Sequence, residues 1–64
     1  MTEHELDILR LVAGRETKMQ WRWGAAMSEC IEYLKSGGYV KLIAGKYEPT
    51  DKGIEYLDTC EQTD

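Results

Sequence analysis

The chain of 64 residues has no phenylalanine, one proline, one histidine and two cysteines, and these shortages exclude several functions. A metal site needs several His, Cys or acidic ligands close together, and His4 with two distant cysteines does not provide them. Cys30 and Cys60 fit two free thiols in a reducing compartment better than a disulfide, although pairing stays open. No apolar run approaches the roughly 18 residues that cross a bilayer. We therefore expect no metal, no cofactor and no membrane span.

Catalytic motifs are missing as well. The sequence contains no Ser-His-Asp arrangement, no glycine-rich phosphate loop and no sign of a pocket with paired carboxylates. His4 is expected to be a solvated residue in the first turn of a helix, and Cys30 a small residue of the core. The first residues also lack the cationic start of a signal peptide. We expect a cytoplasmic protein that is not an enzyme.

The composition is that of a small folded domain. Hydrophobic residues make up 42% of the chain and include two Trp and four Tyr, enough for a packed core. We expect one domain over residues 1–60 and a frayed tail over residues 61–64. The net charge is −4, but the middle of the chain holds all eight Lys and Arg and only five of the twelve acids. Both ends are therefore acidic, and the middle is mildly basic.

Two helices are predicted by their start and stop signals. Thr2 and Glu5 form a capping box, which predicts a first helix over residues 3–13 that ends at Gly14. The second helix is predicted over Ala25–Ser36, with Gly37 and Gly38 as its stop. Its apolar face consists of Ala26 or Met27, Cys30, Ile31 and Leu34, with Tyr33 beside them.

The segment between these helices is harder to interpret. Met19, Trp21 and Trp23 alternate with polar residues, and a period of two is typical of a strand. A single short helical turn is the alternative. We favour a short strand that pairs beside a hairpin, with both tryptophans on one side and Arg22 on the other.

The second half of the chain predicts a β-hairpin followed by a helix. Residues 39–43 are rich in β-branched, aromatic and aliphatic side chains, the segment 44–46 is a turn centred on glycine, and residues 46–48 are extended again. Pro49 ends the pairing, and Thr50 can cap a last helix over residues 51–59. Ile54, Leu57 and Cys60 give that helix an apolar face.

The order helix, glycine stop, hairpin and capped helix over residues 24–58 resembles the back half of a winged-helix (winged helix-turn-helix) domain of the small phage or bacterial type. Residues 31–40 resemble the family's junction between recognition helix and first wing strand, and residues 45–57 its wing and closing helix. The resemblance implies an α+β fold with three main helices, a hairpin wing and a short extra strand. Only residues 15–23 remain for the family's second helix, so that element is shortened or replaced.

The resemblance also implies a non-catalytic regulator of transcription that binds double-stranded DNA. Small residues at the start of helix 25–36 would face the major groove, and cations on either side would contact phosphates. The implied DNA-binding residues are Lys18, Arg22, Gly24, Ala25, Ser28, Lys41 and Lys46. The alternative is that these are ordinary solvated residues and a helix that begins with alanines because alanine favours helices.

A second hypothesis is an acidic protein-protein interaction module, such as a phage-encoded inhibitor that occupies a nucleic-acid-binding host protein. Glu29 and Glu32 are expected on the outer face of helix 25–36, where they would suit a basic partner and oppose phosphates. Trp21 and Trp23 would be anchors for that partner if they are exposed, and core residues if they are not. The sequence leaves a homodimer open.

Overall fold

The computed structural model describes residues 1–61, and residues 62–64 of the predicted tail lie outside the described residues. The fold is α+β and winged-helix-like, as predicted. The elements in chain order are α1 (Glu3–Val12), α2 (Ala25–Ser36), β1 (Val40–Ile43), β2 (Lys46–Pro49) and α3 (Asp51–Glu61). Within the described chain, no helix is long and apolar enough to cross a membrane.

The helix α1 begins and ends as its sequence signals predict. The backbone amide of Thr2 donates to Glu5 Oε1 at 2.8 Å and the amide of Glu5 donates to Thr2 Oγ1 at 3.3 Å, which completes the capping box. The bond from the Thr2 backbone amide foremost, and a second bond from the Thr2 hydroxyl to Glu5 Oε1 at 3.0 Å, lower the pKa of Glu5. At the other end, Arg15 N donates to Arg10 O and Gly14 takes a φ of 75°. This is a Schellman ending, which glycine makes without steric cost.

The helix α2 ends in the same way, and this ending aims the chain into the hairpin. Tyr39 N donates to Leu34 O at 2.8 Å, Gly38 N donates to Lys35 O at 3.1 Å, and Gly38 has a φ of 80°. Because the reversal is complete by Tyr39, β1 starts at the next residue and runs back along the domain.

The hairpin is an antiparallel pair with Val40 opposite Pro49 and Ile43 opposite Lys46. Its turn has two residues, Ala44 (φ 51°) and Gly45 (φ 78°), and two successive positive φ values define a type I′ turn. Side chains alternate between two faces. The inner face consists of Val40, Leu42, Tyr47 and Pro49, and the outer face of Lys41, Ile43, Lys46 and Glu48.

The core lies where the three helices meet the first residue of β1. Its buried members are Ile8, Leu9, Met27, Ile31, Leu34, Val40 and Leu57. The predicted apolar face of α2 is confirmed at Met27, Ile31 and Leu34, whereas Cys30 is only half-buried. Both cysteines are free thiols. In the hairpin only Val40 is buried, and Leu42 and Ile43 are about half exposed.

The start of α3 is fastened to the end of α2. Thr50 Oγ1 donates to Gly38 O at 2.6 Å and accepts from Gly53 N at 3.1 Å, so it joins the two helices as well as capping α3. Lys52 Nζ donates to Gly37 O at 2.8 Å and lies 4.7 Å from the centre of the Tyr39 ring. The predicted cap is confirmed, and it also fixes the position of the wing relative to α2.

Residues 15–23 form no strand, so the predicted extra strand is wrong. The segment is an irregular loop, and within it the Thr17 hydroxyl donates a hydrogen bond to Met19 O at 2.7 Å. A strand needs a neighbour with free backbone groups, and here a buried carboxylate of α1 accepts from the loop amides instead. Met19, Trp21 and Trp23 alternate with polar residues but do not form one face of a strand. Each of the three has a different environment.

Candidate nucleic-acid interface

The loop before α2 is held by one buried acid, Asp7, which is 2% exposed. Its Oδ1 accepts from Lys18 N at 2.9 Å and from Arg10 Nη1 at 3.3 Å. Its Oδ2 accepts from Met19 N at 3.0 Å and from Trp21 Nε1 at 2.9 Å. A buried carboxylate is tolerated when hydrogen-bond donors satisfy its charge, and Asp7 has four of them. Asp7 therefore sets the path by which the chain reaches α2.

The same contacts determine the ionisation of Asp7. Burial alone would raise the pKa of this carboxyl, and the bonds from Lys18, Trp21, Met19 and Arg10 oppose it. Together these bonds outweigh burial, and the pKa of Asp7 is lowered from its ordinary value. The carboxylate is consequently charged at neutral pH, and the loop amides remain bonded.

The two tryptophans have different environments. Trp21 is half-buried, with its indole N–H on Asp7 and its ring edge-on to His4 at a centroid distance of 5.8 Å. Trp23 is 68% exposed and lies beside the hairpin, its ring centre 6.5 Å from that of Tyr47. Trp21 thus has a structural role in the loop, and Trp23 offers most of its ring to solvent.

The seven residues implied for DNA binding are all exposed. Gly24 is the N-cap of α2 and makes no side-chain cap, and Ala25 and Ser28 follow in the first turn. Because Trp23 lies against Tyr47, Arg22 and the start of α2 are beside the hairpin. Lys41 and Lys46 project from its outer face. The helix start therefore lies next to the hairpin on the side of Tyr47, and the two lysines project from the opposite face of the hairpin.

Lys18 lies apart from that group. Its side chain lines a small groove along α1 together with Glu3, Leu6, Asp7, Arg10 and Met19. No residue of α2 or of the hairpin lines this groove. Lys18 therefore anchors the loop through its backbone amide and presents its charge beside α1.

The basic residues divide into two groups by their partners. Arg10 and Arg15 form ion pairs with Asp7 and Asp58, and Lys52 is bonded to Gly37 O. The other five take part in no ion pair among residues 1–61 and are exposed. They are Lys18, Arg22, Lys35, Lys41 and Lys46. These five cations remain available to a partner.

All five cations fall in two stretches of sequence that contain no Asp or Glu, residues 17–28 and residues 33–47. Trp23 belongs to the first stretch and Tyr47 to the second, and their rings are adjacent. The contact between these rings therefore joins the two acid-free stretches in space. Glu48 lies opposite Lys41 across the hairpin and offsets part of its charge, whereas the partner of Lys46 is Ile43.

The acidic face of α2 lies between these stretches in sequence. Glu29 and Glu32 are both exposed, as predicted. Neither carboxylate forms an ion pair with a described residue. They would repel phosphates near the middle of α2, which leaves the N-terminal turn of that helix as its part most compatible with DNA.

His4 and Cys30 line an open groove of about 320 Å³ between α1 and α2, together with Glu5, Trp21 and Glu29 among others. Burial raises the pKa of the Cys30 thiol, and the negative charges of Glu5 and Glu29 raise it further. Such a thiol is a poor nucleophile at neutral pH, since the thiolate is the reactive form. In the part of the chain that the structure describes, no three metal-ligating side chains come together.

Comparisons of the chain with protein-family models, with curated proteins and with solved structures found no match.

Sequence reasoning missed Asp7 as the residue that organises this surface. The signal for it was present: Asp7 lies between two apolar residues, Leu6 and Ile8, and an acid that is buried with such neighbours must find hydrogen-bond donors. It also missed that Lys52 and Thr50 serve the junction between α2 and α3.

Proposed function

We propose that this protein is a small, non-catalytic DNA-binding domain of the winged-helix type that acts as a regulator in the cytoplasm. The observation that carries the proposal is that five exposed cations without ion pairs lie in two acid-free stretches, which the contact between Trp23 and Tyr47 joins. Lys or Arg side chains that are free to contact phosphates supply most of the affinity of a DNA-binding surface.

The arrangement suits the docking mode of a helix with an adjacent wing. The N-terminal turn of α2 begins with Gly24 and Ala25, whose small side chains permit close approach to a groove. Arg22 precedes this turn, and Lys46 extends from the wing. We place phosphate contacts at Arg22 and Lys46, with Lys41 in a supporting position; Lys18 lies beside α1, apart from these three. Readout of base sequence is modest in this arrangement, because small side chains carry little base information.

The test is a titration of duplex DNA with the parent and with the double variant Arg22→Ala, Lys46→Ala. We expect the variant to bind every DNA sequence more weakly. The slope of log affinity against log salt concentration should also become shallower, by the equivalent of about two phosphate contacts. The double variant lowers the net charge by two, and the comparison variant Glu3→Gln, Glu55→Gln raises it by two outside both acid-free stretches. If net charge alone set the affinity, the comparison variant would gain as much affinity as the double variant loses. Unchanged affinity of the double variant would remove Arg22 and Lys46 from the interface.

A second candidate is the protein-protein interaction module, and it is favoured by the 68% exposure of Trp23 together with the unpaired carboxylates of Glu29 and Glu32 among the described residues. An exposed large aromatic ring and two exposed acids on α2 suit a basic partner. In this case the partner would be a nucleic-acid-binding protein whose groove the domain occupies.

One pair of variants separates the two candidates. Changing Glu29 and Glu32 to Lys should strengthen DNA binding if the domain binds DNA, because two repulsive charges leave the surface of α2. It should abolish capture of a basic protein partner if the domain is an inhibitor. The matched control changes Glu3 and Glu55 to Lys, with the same change in net charge on α1 and α3. If both variants affect DNA binding equally, the effect is one of net charge and the site on α2 is wrong.

A further inference from the structure

We propose that Trp23 is a base-stacking residue, so that the DNA bound by this surface contains an unpaired base that stacks on the indole ring. The inference deepens the proposed function and rests on it. An exposed Trp in a small domain usually lies alone on the surface, but this one is held at the junction of the two acid-free stretches.

The Trp23 ring is held in position by its neighbours, and most of its surface is open to solvent. On one side it meets Tyr47, with ring centres 6.5 Å apart and planes inclined at 45°. Its remaining surface is solvent-accessible, since the residue is 68% exposed. The chain on either side is fixed, by the bond of Trp21 to Asp7 before it and by the start of α2 after it. A flat ring held by its neighbours loses little freedom when another flat ring stacks on it.

The segments that carry Trp23 and Tyr47 contain cations and no acids. Arg22 precedes Trp23 in the chain, Lys41 and Lys46 project from the other face of the hairpin, and no acid occurs in residues 17–28 or 33–47. On the same face of the hairpin, Leu42 lies opposite Tyr47 and is 50% exposed. An exposed aromatic surface on segments with cations and without acids suits unpaired nucleotides, because bases stack on the rings while phosphates meet the cations.

The two tryptophans differ in environment, so tryptophan fluorescence can report on Trp23. Trp21 is half-buried and its indole N–H is bonded to Asp7, so its emission should respond little to DNA. Trp23 is the exposed fluorophore. Quenching of the parent's emission on adding DNA, absent in Trp23→Phe, therefore reports stacking on this ring.

The experiment uses three probes with the full chain: a mixed-sequence duplex, the same duplex with one unpaired thymine in its centre, and a single strand of thymines. We expect the bulged duplex and the single strand to quench Trp23 and to bind tighter than the perfect duplex. Trp23→Ala should lose about 10-fold in affinity for the two probes with unpaired bases, and Trp23→Phe should lose less. The affinity of either variant for the perfect duplex should change little.

Each result has a consequence. Equal affinity of the parent for all three probes without quenching would overturn the stacking role and leave the DNA-binding proposal intact. Failure to bind any probe at low salt would overturn the DNA-binding proposal itself. If Trp23→Ala loses affinity equally for all probes while its circular dichroism is unchanged, Trp23 acts as a general contact, and the preference for an unpaired base is wrong.

Discussion

Replacing Asp7 with Asn tests the physical basis of the interface, because this carboxylate holds the loop that leads to α2. Asn has nearly the same shape, but only its carbonyl oxygen accepts hydrogen bonds, and its NH2 group donates them. Oδ1 of Asp7 accepts from Lys18 N and Arg10, and Oδ2 accepts from Met19 N and Trp21 Nε1. Whichever way the Asn amide is turned, two donors must face another donor.

The expected cost follows from that count. A buried donor left without an acceptor costs about 1 to 3 kcal/mol, so two of them cost about 2 to 5 kcal/mol after partial relaxation. A domain of this size has about 3 to 10 kcal/mol of stability in total. We therefore expect Asp7→Asn to be close to unfolding at room temperature, or to release the loop and expose Trp21.

The measurement is urea unfolding followed by tryptophan emission and by circular dichroism. Because the folded-state pKa of Asp7 is lowered, its contribution to stability is complete above the unfolded pKa of about 3.9 and is lost as the pH falls through the folded pKa. The difference in unfolding free energy between parent and variant should thus narrow below about pH 4. A variant within about 0.5 kcal/mol of the parent at pH 7 would refute the role assigned to Asp7.

Two further predictions concern the backbone. Gly53→Ala should destabilise the domain by about 1 kcal/mol or more although alanine favours helices, because a Cβ there would collide with the carbonyl oxygen of Tyr39; a higher melting temperature would show that α3 packs less closely on Tyr39. Ala44→Asn should stabilise by about 0.5 to 1 kcal/mol, because Ala44 has a φ of 51° in a type I′ turn that Asn tolerates better; the melting temperature checks this, and a decrease would contradict the turn type.

The regular elements of this fold could be predicted because their signals are local. The capping box at Thr2 marks the start of α1, and glycines at 14 and 38 take the positive φ values that end α1 and α2. The bounds predicted for α2 are confirmed as Ala25–Ser36. The helix α3 continues to Glu61, two residues beyond the predicted end. Each of these features depends on residues within one or two turns of each other.

The loop before α2 could not be predicted in the same way. Its conformation depends on Asp7, whose acceptors meet the amides of Lys18 and Met19 only after α1 and the loop have come together. The exposure of Trp23 has a similar origin, since its neighbour Tyr47 is far along the chain. Sequence reasoning identified the candidate cations, but the structure was needed to separate them from Arg10, Arg15 and Lys52, which have partners within the fold.

The most direct test of the central claim is the salt dependence of binding to a perfect duplex. Five exposed cations outside ion pairs among the described residues set an upper limit of about −4.5 for the slope of log affinity against log salt concentration. We predict a slope between about −2 and −4.5, with the shallower value if only Arg22 and Lys46 contact phosphates. No binding at low salt, or an affinity that does not change with salt, would contradict the account.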